Sequence, residues 1–381
     1  RRSGNRVRVT VQLIQAVDGT QLWSQRFDRE LTDVFEIQDE IAQAIAEQLK
    51  VKLGDTNAGT RQTANMEAYE DVLAGRHALF KFTPAGLEHA YERLQHAISL
   101  DPNYAYAHAS MAEYHVHQAT VGTALHRDAL LKAEAAALRS LELDSLSADA
   151  HSVLGMVSAE LRYDWAASER HYLRAIELNP ASAHVHFARA YWCLRPTGRL
   201  HEALKEIDRA LELDPLSAYF RFGKAYVTLF VGNLERSAEL AQRTFDLDPT
   251  YFLGIFVLAF VRARQGRAEE AIELANRMIA EHGRWNMSLL VLGLVHALVG
   301  SREKAEDVLN ELKERSTTQQ CSGIISILSS TMGYIDEAFA WAERAIDERD
   351  NQILSLKTSP VYDRLRADPR FPALLAKVNL A

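Results

Sequence analysis

A regular spacing of glycine residues is the feature of this 381-residue chain that most restricts its fold. Gly198, Gly232, Gly266, Gly300 and Gly333 follow one another at intervals of 34, 34, 34 and 33 residues. Each of these glycines is followed five positions later by alanine or serine. Such a period indicates a supersecondary unit that buries its apolar face against its neighbours. The sequence therefore predicts a repeat array rather than a single globule.

A second marker, a proline, recurs out of phase with the glycines. Pro102, Pro180, Pro215 and Pro249 close the phrases LDP, LNP, LDP and LDP. The positions twelve and five residues before three of these prolines hold small residues, namely Ala90, Ala97, Ser168, Ala175, Ala203 and Ala210. Two antiparallel helices per unit explain both markers. Glycine adopts the left-handed conformation that ends the first helix, and proline follows the second helix because it cannot continue it.

A 34-residue period with small residues at these positions and a terminal proline resembles the tetratricopeptide repeat. The resemblance implies a right-handed superhelix of about eight helical hairpins over residues 67–348. Thr244 and Met278 replace the small residue five positions before the repeat end, and we expect looser packing in those two units. The unit that ends near Ser145 is longer, with an insertion over residues 119–126.

The segment before the repeats has a different pattern. Residues 6–15 alternate apolar with polar side chains, which is the period of a half-buried strand. Asp18 and Gly19 supply a hairpin turn before a return strand over residues 22–27. Thr32 or Asp33 caps a following helix with an apolar stripe that continues to Leu49.

These first residues resemble the C-terminal half of the TolB-like domain that precedes tetratricopeptide arrays in bacterial class III adenylate and guanylate cyclases and in winged-helix regulators. Residues 359–371, SPVYDRLRADPRF, resemble the tail that closes those arrays. Two resemblances that flank the repeats favour the same architecture. Because the chain starts at Arg1 within a predicted strand, we expect it to be a fragment of a longer protein.

We therefore predict a mainly α fold, in which a right-handed α-solenoid follows a small α/β fragment made of a β-hairpin and a helix. The predicted domains are residues 1–53 as the C-terminal half of a TolB-like domain, 54–66 as a linker, 67–348 as about eight hairpins and 349–381 as a C-terminal cap.

Composition excludes several classes of protein. Forty-three Lys and Arg against 51 Asp and Glu give a net charge of -8 without a dense basic run, which argues against nucleic acid as a partner. Cys193 and Cys321 lie far apart in apolar stretches, so we expect buried thiols and no disulfide framework. No apolar run reaches the roughly 20 residues of a membrane span. We expect a cytoplasmic location, whereas an upstream span would place the segment in the periplasm.

Residue patterns for catalysis or metal binding are weak. The chain has 14 histidines but no HExxH motif, and the pairs His115/His117 and His184/His186 are spaced i, i+2. Side chains at that spacing diverge on a helix, so one metal ion is not readily shared. No nucleophile elbow or glycine-rich dinucleotide turn is present. We predict no catalytic centre, no metal site and no cofactor.

One face of a predicted first helix is aromatic. Tyr219, Phe222, Tyr226 and Phe230 follow the spacing i, i+3, i+7, i+11. Equivalent positions in the neighbouring units hold His184, Phe187, Tyr191, Phe256, Phe260 and Arg264. In the tetratricopeptide family this face lines the concave inner surface, where aromatic side chains offer large contact area at low entropy cost. Two interpretations stay open: a partner-binding groove, or packing between adjacent first helices.

These features favour a non-catalytic regulatory scaffold of a bacterial signalling protein, which binds a protein, a peptide or a second copy of itself through the groove. The alternative is the C-terminal part of an adenylate or guanylate cyclase, whose upstream domain would synthesise the cyclic nucleotide, or of a winged-helix transcriptional regulator. A free-standing structural adaptor is a third hypothesis. The groove lacks a dense Lys and Arg cluster, so capture of a peptide's C-terminal carboxylate is not expected.

Overall fold

The structure is a computed structural model that describes residues 2–3, 6–14, 21–30, 63–80, 84–121 and 123–381. The chain divides into two compact units, residues 1–64 and residues 65–381. None of the helices in the described ranges is both long and apolar enough to cross a membrane.

The described part of the first unit is an antiparallel sheet with the strand order β1-β2-β3. The strands are β1 (Arg2–Ser3), β2 (Arg6–Ile14) and β3 (Gln21–Glu30). Val9 pairs with Phe27, which is buried, whereas the next pair, Thr10 with Arg26, is exposed. This alternation shows that the predicted hairpin is present with one buried face. The predicted turn at residues 18–19 and the predicted helix that follows residue 32 lie outside the described residues.

The second unit consists of eight consecutive helical hairpins over its described residues, followed by a C-terminal segment. The first helices of the hairpins are α1 (Met66–Leu79), α3 (Ala105–Val121), α5 (Ala148–Arg162), α7 (Ala183–Ala188, continued by a π-helix, Arg189–Leu194), α9 (Ala218–Phe230), α11 (Phe252–Arg264), α13 (Asn286–Leu298) and α15 (Ser322–Met332). The second helices are α2 (Pro84–Leu100), α4 (His126–Leu143), α6 (Trp165–Leu178), α8 (Leu200–Leu213), α10 (Leu234–Leu247), α12 (Ala268–His282), α14 (Arg302–Arg315) and α16 (Ile335–Glu348).

The turns of the hairpins follow the glycine marker. Gly198, Gly232, Gly266, Gly300 and Gly333 all have positive φ angles, between 77° and 90°. Each lies directly before a second helix, where the chain reverses in the left-handed conformation that glycine adopts without a steric penalty. The predicted α-solenoid is confirmed by these hairpins.

Close packing between the helices explains the small residues. All six small residues named above at the proline-linked positions are fully buried, and so are the larger residues Leu94, Tyr172 and Ile207 between them. Thr244 and Met278 are also fully buried, and the Thr244 hydroxyl donates a hydrogen bond to the Leu240 carbonyl at 2.9 Å. The looser packing that we expected in their units is therefore not seen at these two residues.

The crossing of α12 with its neighbours offers a direct test of the packing register. Ala271 on α12 is fully buried in the main apolar cluster. Replacing Ala271 with leucine is expected to overpack this position and to lower the free energy of unfolding by about 1–3 kcal/mol. Urea denaturation followed by circular dichroism measures the effect. Ala280→Leu on the exposed face of the same helix is the matched control. An equal effect of the two substitutions would contradict the register.

The C-terminal segment, residues 349–381, returns to the earlier hairpins. It comprises the 3-10 helices Asn351–Ser355 and Pro360–Tyr362 and the short helices α17 (Asp363–Arg366) and α18 (Phe371–Lys377). The Trp165 indole N–H donates to the Val378 carbonyl at 2.9 Å, and the Asn379 amide donates to the Tyr163 carbonyl at 3.1 Å. These bonds join the third hairpin directly to the end of the chain.

A second long-range contact lies between α4 and the loop before α15. The His126 backbone N–H donates to the Gln320 side-chain oxygen at 2.9 Å, although the two residues are 194 positions apart. The second and eighth hairpins therefore meet, although five hairpins separate them along the chain.

Candidate functional site

The predicted aromatic face forms one continuous row of rings. The ring of Phe187 lies 4.4 Å from that of Tyr219, and Tyr226 lies 5.6 Å from both Phe222 and Phe256. The row therefore crosses three successive first helices, α7, α9 and α11. Centroid separations in this range are favourable for aromatic pairs.

Burial divides the predicted site residues into two classes. The five phenylalanines are buried, with at most 8% of their surface exposed, and these are Phe187, Phe222, Phe230, Phe256 and Phe260. The other aromatic members are half-buried, and these are His184, Tyr191, Tyr219 and Tyr226. Arg264 is exposed and is not among the residues that line the cleft described below. The phenylalanines thus pack between helices, and the tyrosines form an accessible wall.

The π-helix over residues 189–194 determines the positions of Tyr191 and Arg195. The first segment of the fourth hairpin runs 16 positions from its cap Ser182 to Gly198, whereas the corresponding step from Ser217 to Gly232 is 15. The wider π turn over residues 189–194 accommodates the additional residue. Tyr191 and Arg195, which lie in and just after this turn, face a cleft.

The cleft lies between the aromatic row, the end of α3 and the C-terminal segment, and its volume including the open mouth is about 770 Å³. Its lining comprises Thr120, Val121, Tyr191, Trp192, Arg195, Tyr219, Phe222, Tyr226, Phe252, Leu253, Phe256, Trp285, Met287, Asn351, Gln352 and Ser355. We call it the aromatic cleft. Its walls are mainly apolar with a few polar groups, as in sites for small ligands or short peptide segments.

A second, more polar cleft adjoins the first and shares six residues with it, namely Thr120, Val121, Trp285, Met287, Asn351 and Gln352. Its volume including the open mouth is about 930 Å³, and its other walls include arginine, glutamine and histidine side chains. The two clefts together give the interior an apolar part and a polar part.

The C-terminal segment covers the far end of the aromatic row. Ser355, Ser359 and Val361 line the same narrow gap as Phe230 and Phe260. An extended peptide that followed the row would meet the chain's own backbone there. The predicted groove is therefore closed at Phe230 and Phe260. Tyr191, Tyr219 and Tyr226 line the aromatic cleft, and His184 and Phe187 line a further cleft.

The electrostatics of the aromatic cleft favour neutral phenols. Burial raises the pKa of Tyr191, although the nearby Arg195 guanidinium opposes that shift, and the same two causes act on Tyr226. Burial likewise raises the pKa of Tyr219. These tyrosines remain protonated at neutral pH and present hydroxyl donors beside aromatic faces.

Both histidine pairs have separate contacts, as their spacing predicts. The His115 ring contacts the Gln118 side-chain oxygen, and the His117 ring contacts the Glu113 carbonyl, each at 2.9 Å. His184 stacks on Phe80 at 4.5 Å, whereas His186 contacts the Glu206 carboxylate at 2.6 Å. Burial lowers the pKa of His184, while the hydrogen bond with Glu206 raises that of His186. Within the part of the chain that the structure describes, no group of three or more His, Cys, Asp or Glu is arranged to hold a metal ion. Cys193 and Cys321 are both buried and free.

Several residues of the cleft were missed by sequence reasoning. Arg195, Trp285, Asn351 and Gln352 line it but lie off the aromatic pattern or outside the repeats. The tail motif at residues 359–371 signals that a cap is present. It carries no information on where that cap lies.

Comparisons of the sequence give partial matches. No family model matches the chain. A Rhizobium meliloti protein named as an adenylate cyclase, adenylate cyclase 3, is 35% identical over 115 residues, which are 29% of this chain and 20% of that protein. The transcriptional regulator HilA of Salmonella typhimurium is 26% identical over 152 residues, which are 39% of this chain and 27% of HilA. The chain thus spans about a quarter or less of the length of these relatives.

Comparisons of the structure give helical repeat proteins. Yeast Tom70 aligns with a TM-score of 0.49 and 16% identity over 91% of this chain and 77% of its own. A tetratricopeptide repeat protein from Parabacteroides merdae aligns with a TM-score of 0.46 and 15% identity over 70% of this chain and 98% of its own. The direct evidence for the fold is the chain's own series of hairpins with small residues at their crossings. By that geometry the second unit is a helical repeat array of the tetratricopeptide type.

Proposed function

We propose that this chain is a regulatory, protein-interaction segment of a bacterial signalling protein and is not itself catalytic. The observation that carries the proposal is the aromatic cleft, where half-buried tyrosines and Trp285 remain accessible inside an otherwise close-packed array. Amphipathic aromatic side chains of this kind are enriched at binding sites because they bury large area with few rotatable bonds.

The names of the partial relatives support the signalling context. One is named as an adenylate cyclase and another as a transcriptional regulator, and each match covers a minority of that protein. We propose that residues 1–53 are the C-terminal half of a TolB-like domain and that an output domain is attached in the complete protein. A cyclase or a winged-helix regulator remains the alternative description of that whole. The complete reading frame separates them, since paired metal-binding aspartates indicate a cyclase and a basic winged helix indicates a DNA-binding regulator.

Coupling between the cleft and an output domain has a physical basis. The walls of the aromatic cleft come from hairpins two, four, five, six and seven and from the C-terminal segment. A ligand that orders all of these elements favours one curvature of the array over others, and this shifts the population of any state that depends on that curvature.

A pair of substitutions on the open wall tests the interaction role. Tyr219→Ala combined with Phe252→Ala removes two half-buried rings that line the cleft. A partner is first captured from the source bacterium and identified by mass spectrometry. We expect its affinity for this variant to be at least about tenfold lower than for the unmodified chain, because interface aromatics dominate binding energy. Affinity for the purified partner is measured by titration calorimetry.

The matched control removes two apolar side chains from the outer surface. Leu131→Ala combined with Leu138→Ala alters α4, where these side chains are 45% and 48% exposed. Its affinity for the partner should remain that of the unmodified chain. Equal binding by the two double variants would remove the aromatic cleft as the contact site.

A further inference from the structure

The guanidinium of Arg195 is a buried charge in the wall of the aromatic cleft. Arg195 is 2% exposed, and no carboxylate of the described residues lies within 4.0 Å of it. Its Nε donates to the Tyr191 carbonyl at 3.0 Å and its Nη1 donates to the Ser355 hydroxyl at 2.9 Å. These partners are neutral, so they satisfy donors without balancing the charge.

A second buried arginine, Arg189, differs from Arg195 in having carboxylate partners. Arg189 lies six positions earlier, on the π-helix, and is buried to a similar degree. Its guanidinium nevertheless contacts three carboxylates, those of Glu169, Glu202 and Glu206, at 2.5–3.0 Å. Buried cations normally have such partners because desolvation of an unpaired charge is costly.

Aromatic rings compensate part of the Arg195 charge. Its guanidinium carbon lies 4.4 Å from the ring centre of Tyr191, 6.0 Å from that of Tyr226 and 5.7 Å from that of Phe230. Cation–π contacts orient the guanidinium and offset some of the desolvation. They add no negative charge, so an anion that enters the cleft would find a desolvated and oriented cation.

A second donor in the same cleft lacks a partner. The Trp285 indole Nε1 is buried and makes no hydrogen bond, although Trp285 lines both the aromatic and the polar cleft. An indole N–H is only a donor, so its missing partner must be an acceptor atom. The Trp285 N–H in this wall therefore lacks an acceptor, and the Arg195 guanidinium lacks a neighbouring negative charge.

We propose that the aromatic cleft binds a compact organic carboxylic acid, with its carboxylate on Arg195 and its aromatic or branched apolar body among the surrounding rings. The apolar walls suit one charge joined to an apolar body better than a phosphate. The cleft is concave and mainly apolar, as small-molecule sites are, and the C-terminal segment blocks the path of an extended chain beyond Tyr226. On this proposal the whole chain is a receptor for a small acid as well as a scaffold.

This inference uses the same cleft as the proposed function but does not require a protein partner. Acid binding is measured on the purified chain alone. Loss of acid binding and loss of partner capture are therefore separate results, and either proposal can fail while the other holds.

The experiment compares an acid with its neutral isostere. Phenylacetate and phenylacetamide are titrated into the full chain by isothermal calorimetry. We expect phenylacetate to bind at least about tenfold more tightly, because charge-assisted hydrogen bonds to a buried guanidinium are worth more than neutral ones. In Arg195→Gln the two ligands should bind equally, at the affinity that phenylacetamide has for the unmodified chain. Retained amide binding then shows that the cleft is still folded.

Two further variants sharpen the assignment. Arg195→Lys keeps the charge and should keep part of the preference for the acid. Arg264→Gln removes an exposed arginine outside the cleft lining and should leave the preference unchanged. Equal affinity of the unmodified chain for acid and amide, absence of binding by both, or an unchanged preference in Arg195→Gln would each overturn the proposal.

A further titration with a peptide distinguishes a small carboxylic acid from the C-terminal carboxylate of a peptide as the ligand. The tripeptide Ala-Ala-Phe is titrated with a free and with an amidated C-terminus. We expect weaker binding of the free tripeptide than of phenylacetate, because the additional residues must leave through the cleft mouth. Arg195-dependent binding of the tripeptide without any binding of phenylacetate would contradict a compact acid as the ligand.

Discussion

Replacing His126 with alanine is expected to lower the free energy of unfolding by about 3–5 kcal/mol, because the substitution leaves one member of a buried ion pair without its partner. The His126 Nε2 lies 2.5 Å from the Glu160 Oε2, and the two residues are 4% and 2% exposed. The other carboxylate oxygen of Glu160 already has no hydrogen-bond partner. Without the imidazole, Glu160 must be buried as a bare carboxylate or take up a proton.

The cost of this substitution should depend on pH in a defined direction. Burial lowers the pKa of His126, but the Glu160 carboxylate outweighs burial and raises the folded-state pKa above the ordinary value. A raised histidine pKa stabilises the fold fully below the unfolded value of about 6.5 and loses that contribution as the pH rises through the folded value. The Asp350 carboxylate also faces His126 and acts in the same direction. The deficit of His126→Ala should therefore be larger at about pH 6 than at about pH 9.

Urea denaturation at the two pH values measures both the deficit and its pH dependence. Arg139→Ala provides a control on the same helix, since Arg139 pairs with Glu142 at the surface and its loss should cost about 0.5 kcal/mol or less. His126→Leu combined with Glu160→Met removes both charges and should recover much of the stability. A deficit for His126→Ala no larger than that of Arg139→Ala would show that the pair contributes little.

Gly223→Ala is expected to destabilise the fold by about 1–3 kcal/mol, because the added methyl group has no space. A Cβ at Gly223 would lie 2.3 Å from Cε2 and 2.7 Å from Cζ of Phe187. The Phe187 ring cannot move aside easily, since it is 1% exposed and lies 4.4 Å from the ring of Tyr219 and 5.0 Å from that of Phe220. The glycine is therefore required by the close approach of two first helices.

Two further variants separate this clash from helix propensity. Gly254 lies in α11, and a Cβ there would meet Thr244 Cγ2 no closer than 3.3 Å. Gly254→Ala should cost clearly less than Gly223→Ala, because Thr244 needs to shift by only a few tenths of an ångström and alanine favours helix more than glycine does. In Gly223→Ala, the second change Phe187→Leu should restore stability relative to the sum of the single effects. Simple additivity of the two effects in thermal unfolding would exclude the clash.

Sequence periodicity predicted the contacts that recur within and between neighbouring hairpins. The small residues at the crossings, the turn glycines and the aromatic row all depend on nearest-neighbour packing, and each unit repeats the signal. The aromatic row was predicted without knowing that Phe187 and Phe222 would be buried while Tyr219 would stay accessible. That difference depends on the exact rotation of each helix, which a period of 34 does not specify.

The features that define the cleft depend on contacts between distant hairpins. Trp165 bonds to a carbonyl 213 positions away, and His126 bonds to a side chain 194 positions away. Such contacts depend on small rotations that accumulate over several units. The single additional residue that produces the π turn at Arg189–Leu194 leaves no mark in the glycine spacing, because the preceding turn residue is Tyr163 in the left-handed conformation. Arg195 could therefore not be assigned from the pattern.

Open solenoids gain and lose units freely in evolution, since a new hairpin needs only one compatible neighbour. The C-terminal segment changes this freedom here, because its residues Val378 and Asn379 bond to the third hairpin at Trp165 and Tyr163. Duplication or loss of any hairpin between these two places would move the C-terminal segment away from its contacts with the third hairpin. The number of units in this chain is thus set by the need to bring tail and third hairpin together, and natural variation in length should concentrate outside residues 163–379.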